Sequence, residues 1–161
     1  MALWTLGVVC SEATALIGNR GDITISRASF YANQAAIDVQ MAVEPLDLEA
    51  IAVSSTTSGE NKITLPTDYY AILSVSNLSI TPPQPIVKWN IYDVDSANTA
   101  QGPPVNYVLY NNWLELWPSP DSSYSIQMRY QARPSVLTTT TATPSFDTRF
   151  GMCWLYRTAE L

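Results

Sequence analysis

The chain has 161 residues, 47% of them hydrophobic and only 14% charged, with a formal net charge of −6 and no histidine. That length suits one domain, or one domain with a small helical appendage, and the charged share is far below the roughly 25% of ordinary soluble domains. Five Trp, nine Tyr and eleven Pro on so little charge exclude a disordered, coiled-coil or collagen-like chain and indicate a β-rich body partly covered by neighbouring subunits.

Residues 3–17 read as a helix, because Leu6, Cys10, Ala13 and Ile17 recur at helical spacing on one face. Gly18-Asn19 supplies its left-handed stop. A second helix is predicted over about 26–42, with Thr24 or Ser26 as N-cap. Ala28, Ala32, Ala35, Val39 and Ala42 form a stripe of small residues that lets another helix backbone come close, while Phe30, Ile37 and Met41 add a bulky flank. A helix apolar around so much of its circumference packs on more than one element. Pro45 ends it.

From residue 48 the period changes to two. Glu49–Thr56 and Lys62–Leu65 flank Ser58-Gly59 and read as a hairpin. Ala71, Leu73 and Val75 alternate with Ile72, Ser74 and Ser76, and Val87, Trp89 and Ile91 alternate with Lys88, Asn90 and Tyr92. A polar loop spans Ser96–Pro104. Val105–Tyr110 and Trp113–Trp117 are joined by Asn111-Asn112, a pair that tolerates the positive φ of a primed turn. After the turn Pro118–Asp121, the residues Tyr124, Ile126, Met128 and Tyr130 mark a half-buried strand.

The tract Thr138–Thr143 is β-branched and reads as an extended arm or linker. Past Pro144 a third helix follows over about 146–161, with Phe146, Phe150, Trp154 and Leu155 on one face. Consecutive strands without intervening helices argue an antiparallel sandwich or barrel. The predicted fold class is therefore α+β: an N-terminal helix pair and a C-terminal helix packed with an antiparallel β-sandwich or barrel-like body. The expected divisions are helices at 1–45, a β body at 46–137, and an arm plus helix at 138–161 that form one compact unit with the N-terminal helices.

Catalytic templates fail. The missing histidine removes the commonest general base and the Ser-His and Cys-His nucleophile systems. No GxGxxG, P-loop, GxSxG or HExxH occurs. Cys10 and Cys153 form no CxxC and read as small buried hydrophobes. Asp93 and Asp95 form a DxD pair at a predicted strand end, read as a solvated loop start in preference to a divalent-metal site. No cofactor or metal is expected, and no enzymatic activity.

Trp89, Tyr92, Tyr107, Tyr110, Trp113, Trp117, Tyr124 and Tyr130 fit either of two readings: a core or subunit interface, which is preferred, or a sugar-stacking platform. Charge is uneven. Residues 1–60 carry Glu12, Asp22, Asp38, Glu44, Asp47, Glu49 and Glu60 against Arg20 and Arg27, a net −5, which leaves −1 for the rest. With no basic cluster, strong phosphate-backbone binding is not expected. The N-terminus lacks a basic region, and Glu12 interrupts its apolar run, so it does not read as a signal peptide.

The order of elements resembles the head-to-tail adaptor, or head completion, proteins of tailed bacteriophages. The residues that carry the resemblance begin with the helix pair containing Ala32-Asn33-Gln34-Ala35 and with Leu65-Pro66-Thr67-Asp68-Tyr69 opening a strand. They continue from Tyr107 through Leu114-Glu115-Leu116-Trp117-Pro118-Ser119-Pro120, then Tyr124 through Tyr130, and Pro144 before the final helix. Together these span most of the chain.

The resemblance implies a structural virion protein at the capsid vertex, assembled from the host cytoplasm. Such proteins form homo-oligomeric rings, usually of twelve copies, beneath the portal protein. They seal the filled head, present a surface to the next tail or nozzle component and let DNA pass without specific binding. The terminal helix commonly contacts the portal, so Phe150, Trp154 and Arg157 are the expected contacts with the portal or a neighbouring subunit. Asp22, Asp38, Glu44, Asp47 and Glu49 are the expected channel or interface acids. The alternative function is a carbohydrate-binding β-sandwich module stacking sugars on Trp89, Trp113 and Trp117.

Overall fold

The computed structural model describes residues 4–43, 48–94 and 100–160. The fold is α+β, with two N-terminal helices, a C-terminal helix and a nearly closed, barrel-like sheet of seven strands. The chain divides into two compact units, one made of Met1–Leu48 with Pro134–Leu161 and the other of Glu49–Arg133.

In the helical unit, α1 (Leu6–Leu16) starts at Thr5, whose hydroxyl accepts the Val8 N–H at 3.3 Å. Such a cap contributes about 0.5–2 kcal/mol. The helix stops where predicted: Gly18 (φ 82°) and Asn19 (φ 52°) turn left-handed, and their N–H groups reach the carbonyls of Ala15 and Thr14. The next helix, α2 (Ile25–Val43), is capped by Thr24, whose hydroxyl accepts the Arg27 N–H at 3.3 Å. The stripe Ala28, Ala32, Ala35 and Val39 is buried, whereas Ala42 is exposed. Phe30 is 66% exposed, so the expected bulky flank does not pack at that position.

After a 3-10 turn (Thr148–Phe150) comes α4 (Gly151–Glu160), which follows in chain order the short α3 (Ile91–Val94) of the sheet unit. The helix expected from residue 146 thus begins five residues later. Asp147 delays it, because its carboxylate accepts the Arg149 N–H and its carbonyl the Phe150 N–H. Leu6, Val9 and Ala13 of α1, the α2 stripe, and Phe146, Trp154 and Leu155 make one core.

The threonine arm is part of this unit's hydrogen bonding. The carbonyls of Thr140 and Ala142 accept the N–H groups of Gly7 and Leu6 at 2.8 and 2.9 Å. These donors belong to the first turn of α1 and have no partner within the helix. Asn33 fixes the arm's start: its amide donates to the Leu137 carbonyl at 3.1 Å and its oxygen accepts the Leu137 N–H at 2.7 Å.

The sheet unit contains β1 (Glu49–Ser55), β2 (Lys62–Thr64), β3 (Tyr69–Asn77), β4 (Gln84–Lys88), α3 (Ile91–Val94), β5 (Asn106–Tyr110), β6 (Trp113–Trp117) and β7 (Ser125–Ala132). Their order across the sheet is β1-β7-β3-β4-β5-β6-β2. Ile63, Leu65, Val75, Ile86, Tyr107, Leu114, Leu116, Ile126 and Met128 fill the interior. The β5–β6 hairpin turns on Asn111 (φ 54°), and Tyr110 stands opposite Trp113. The predicted alternation of β7 is observed, with Ile126, Met128 and Tyr130 buried.

Four expectations are corrected. First, β1 and β2 form no hairpin: β1 pairs with β7, and β2 with β6. The intervening segment bonds outward instead of folding back. Thr56 donates its N–H to the Tyr124 carbonyl and its hydroxyl to the Ser122 carbonyl, while the Gly59 N–H reaches the Pro120 carbonyl. Second, the sheet is not wholly antiparallel, because β4 and β5 run parallel. The long connection between them gives the chain room to cross over. Third, the strand expected around Val87–Ile91 lies earlier and in the opposite register. Ile86 faces the core opposite Val75, so Val87 is exposed, and residues 91–94 turn helical. Fourth, the strand holding Leu73 shifts register between Ile72 and Ser74, which turns Leu73 outward.

Candidate functional site

The site residues expected from the sequence fall into three groups, and the structure treats each differently. On α4, Trp154 has no exposed surface. Its indole N–H donates to the Ala32 carbonyl at 2.7 Å, and its ring meets Phe146 edge-on, with centroids 5.7 Å apart. The expectation that Trp154 touches a partner is therefore corrected, since a fully enclosed ring offers another chain nothing to contact. Phe150 is half-buried and packs on the same core. Arg157 is partly exposed and makes ion pairs with Asp38 at 3.2 Å and Glu160 at 3.5 Å. The outward face of α4 belongs instead to Met152, Cys153, Tyr156 and Arg157.

Sequence reasoning passed over Met152 and Tyr156, although they lie four residues apart and thus on one helical face. Their apolar bulk was the available signal. Cys153 is also exposed, not buried as expected; both cysteines are free. Cys10 is buried against Ser29, and burial pushes its thiol pKa up.

The acids are not one surface. Asp22 is held by Arg20 through two hydrogen bonds, at 3.1 and 2.9 Å, and the guanidinium lowers its carboxyl pKa. Asp38 accepts from Arg157 and from the Gln34 amide at 3.2 Å. Both already have a local counter-charge or donor. Glu49 is exposed at the start of β1. Glu44 and Asp47 lie outside the described residues. Asp93 sits within α3, not at a strand end, and Asp95 lies outside the described residues. Among the described residues, no group of three or more Cys, Asp or Glu is placed to hold a metal ion.

On β6, Trp113 and Trp117 are half-buried and share the outward side, because Leu114 and Leu116 take the inward one. Glu115 lies between them and accepts from the Asn61 amide at 2.8 Å. The Lys62 ammonium stands 5.5 Å from the Trp113 ring centroid. Both indole N–H groups are buried and have no hydrogen-bond partner. Sugar stacking needs an open ring face, which these half-buried rings present only in part; Trp89 follows β4, its backbone N–H donating to the Tyr107 carbonyl at 2.8 Å.

The motif Leu65–Tyr69 has a physical reason here. The Asp68 carboxylate accepts the Tyr130 hydroxyl at 3.1 Å, and its carbonyl accepts the Arg133 N–H. Burial first, and then this bond, raise the Tyr130 pKa. The motif thus ties the entry of β3 to the end of β7.

No helix among the described residues is long and apolar enough to cross a membrane. No curated protein matches the sequence. The family model described as SU10 adaptor protein matches residues 5–160, so its span takes in α1 and α2, every strand and α4. With nearly the whole chain matched, the protein belongs to the SU10 adaptor protein family, a family of phage head-to-tail adaptors and therefore of virion structural proteins.

Proposed function

We propose that the protein forms a ring beneath the portal, closes the DNA-filled head and joins it to the tail. The observation that carries this reading is the family match over residues 5–160. It acts as a connector, not as an enzyme. Rings are closed sets of heterologous interfaces, and a chain with so few charges and so many aromatic residues suits repeated subunit contacts. The assembly has twelve copies, sits at the capsid vertex after assembly in the host cytoplasm, and offers its far side to a tail or nozzle protein.

Within it, the outward face of α4 docks on the portal or the neighbouring copy. Met152 and Tyr156 supply apolar contact, with Arg157 beside them and Phe150 supporting the helix from below. DNA passes without adhering, because a net charge of −6 with no basic cluster releases no counterions from the phosphate backbone. Glu49, Glu44 and Asp47 are the acids left for the channel or an interface, with Asp22 and Asp38 contributing only as arginine-paired groups.

The test is to mix the purified protein with portal rings and image the complex by electron microscopy. A symmetric second ring on the portal is the expected result. A portal that stays bare at saturating protein would overturn the reading.

A further inference from the structure

The sheet has two ends, and they differ. At one end β2 is three residues long and carries Lys62, an ordinary defence for a strand edge. At the other, β1 is seven residues long, without Pro, Lys or a register shift. Among the described residues its sheet neighbour is β7 alone, and its backbone bonds run to β7 alone. The segment that the sequence paired with it, β2, is committed to β6. Ile51 and Val53 project from β1 and are 58% and 54% exposed. A long, apolar, undefended edge is a template for another strand.

We infer that β1 pairs with β1 of a second copy of this chain, antiparallel and centred on Ala52. The strand is complementary to itself in that register. All seven residues overlap, Ile51 stands opposite Val53 of the second copy in both directions, and Glu49 stands opposite Ser55. Branched apolar pairs across antiparallel strands are stabilising, and like charges directly opposite are not. Moving the register by two residues towards Ile51 sets Glu49 against Val53 and shortens the overlap. Moving it the other way leaves Glu49 without a partner and keeps only one apolar pair. Ala50, Ala52 and Ser54 on the other side are small and do not obstruct the approach.

The contact is two-fold and closes at two copies. It therefore cannot build a ring by itself and does not depend on the ring reading. It describes the free protein, which hides Ile51 and Val53 before assembly.

Sedimentation velocity and light scattering on the purified full chain should give twice the chain mass at micromolar concentration, and Val53→Lys should give the single-chain mass. Register is tested by Ala52→Cys in a Cys153→Ser background. Directly opposed residues of an antiparallel pair have Cα atoms about 4.5–5.5 Å apart, within disulfide reach. Mild oxidation should then yield a covalent dimer, and Glu49→Cys in the same background should not. A wild-type chain that stays monomeric throughout the range overturns the inference. So does an oligomer that Val53→Lys leaves intact, or equal cross-linking at positions 49 and 52. If Val53→Lys fails to fold, the cysteine pair alone decides. Failure to bind portal rings would leave these measurements unchanged, so the two readings fail separately.

Discussion

The Trp154 indole N–H donates to the Ala32 carbonyl at 2.7 Å across 122 positions of sequence, and both residues are fully buried. The small side chain on α2 is what admits the large one on α4. A methyl group at position 32 leaves room for the ring and for the approach of a second backbone.

This contact sets the stability of the helical unit. Ala32→Leu overpacks it and should cost about 1–3 kcal/mol. Trp154→Ala removes the ring and leaves a cavity, with an expected cost of about 3–5 kcal/mol. Denaturant unfolding followed by circular dichroism checks both. Wild-type stability in either variant would contradict the packing described.

Asn33 holds Leu137 by a reciprocal pair of hydrogen bonds. Asn33→Ala leaves the Leu137 N–H and carbonyl without that partner, at about 1–3 kcal/mol. The effect should be local first. Amide hydrogen exchange should quicken over residues 137–142 and in the first turn of α1, which the arm's carbonyls cap. Unchanged exchange there would show that the arm is held by other contacts.

Tyr130 gives a pH signature. Its folded pKa lies above the ordinary value of 10, through burial and then the Asp68 bond. The folded state therefore holds this proton more tightly than the unfolded one. The resulting stability is complete below about pH 10 and is lost as pH rises from there through the folded pKa. Burial shifts Tyr107, and the Asp121 bond shifts Tyr124, in the same direction. Melting temperature should thus fall on the alkaline side, and Tyr130→Phe should flatten part of the fall. An identical alkaline profile in the variant would remove Tyr130 from the account.

The α4 face is tested by Met152→Glu with Tyr156→Glu. Both side chains are about half exposed, so the fold should tolerate the change, with a stability shift within about 0.5 kcal/mol per site. Incorporation into particles should drop at least tenfold, read by quantitative blotting of purified virions. Normal incorporation would move the portal contact elsewhere.

Local signals were legible in the sequence. Gly18-Asn19, Thr24, Asn111-Asn112 and the alternation along β7 each depend on a few adjacent residues, and each appears in the structure as read. Strand partners were not legible. Ser58-Gly59 has the composition of a hairpin turn, but its backbone bonds to the Pro120 region, which no local pattern encodes. The direction of β4 against β5 depends on a crossover, not on either strand's residues. At the candidate site, helical spacing marked an apolar face on α4 correctly. It could not say whether this chain's own helices or another chain covers that face, and Trp154 turned out to be covered from within. The pairing of Asp38 with Arg157, 119 positions away, is likewise set by how α2 and α4 pack.

The helical unit is assembled from two stretches of chain, with all of Glu49–Arg133 between them. That arrangement imposes an order on synthesis. As translation proceeds, α1 and α2 leave the ribosome before Phe146, Trp154 and Leu155, so Leu6, Val9 and the alanine stripe have each other but lack the third part of their core. The sheet unit, being continuous, has its full set of strands before the first of those residues emerges. Until then the N-terminal pair lacks its third partner, and apolar surface left incompletely covered during folding is prone to aggregation. Folding of the earliest residues is completed by some of the latest.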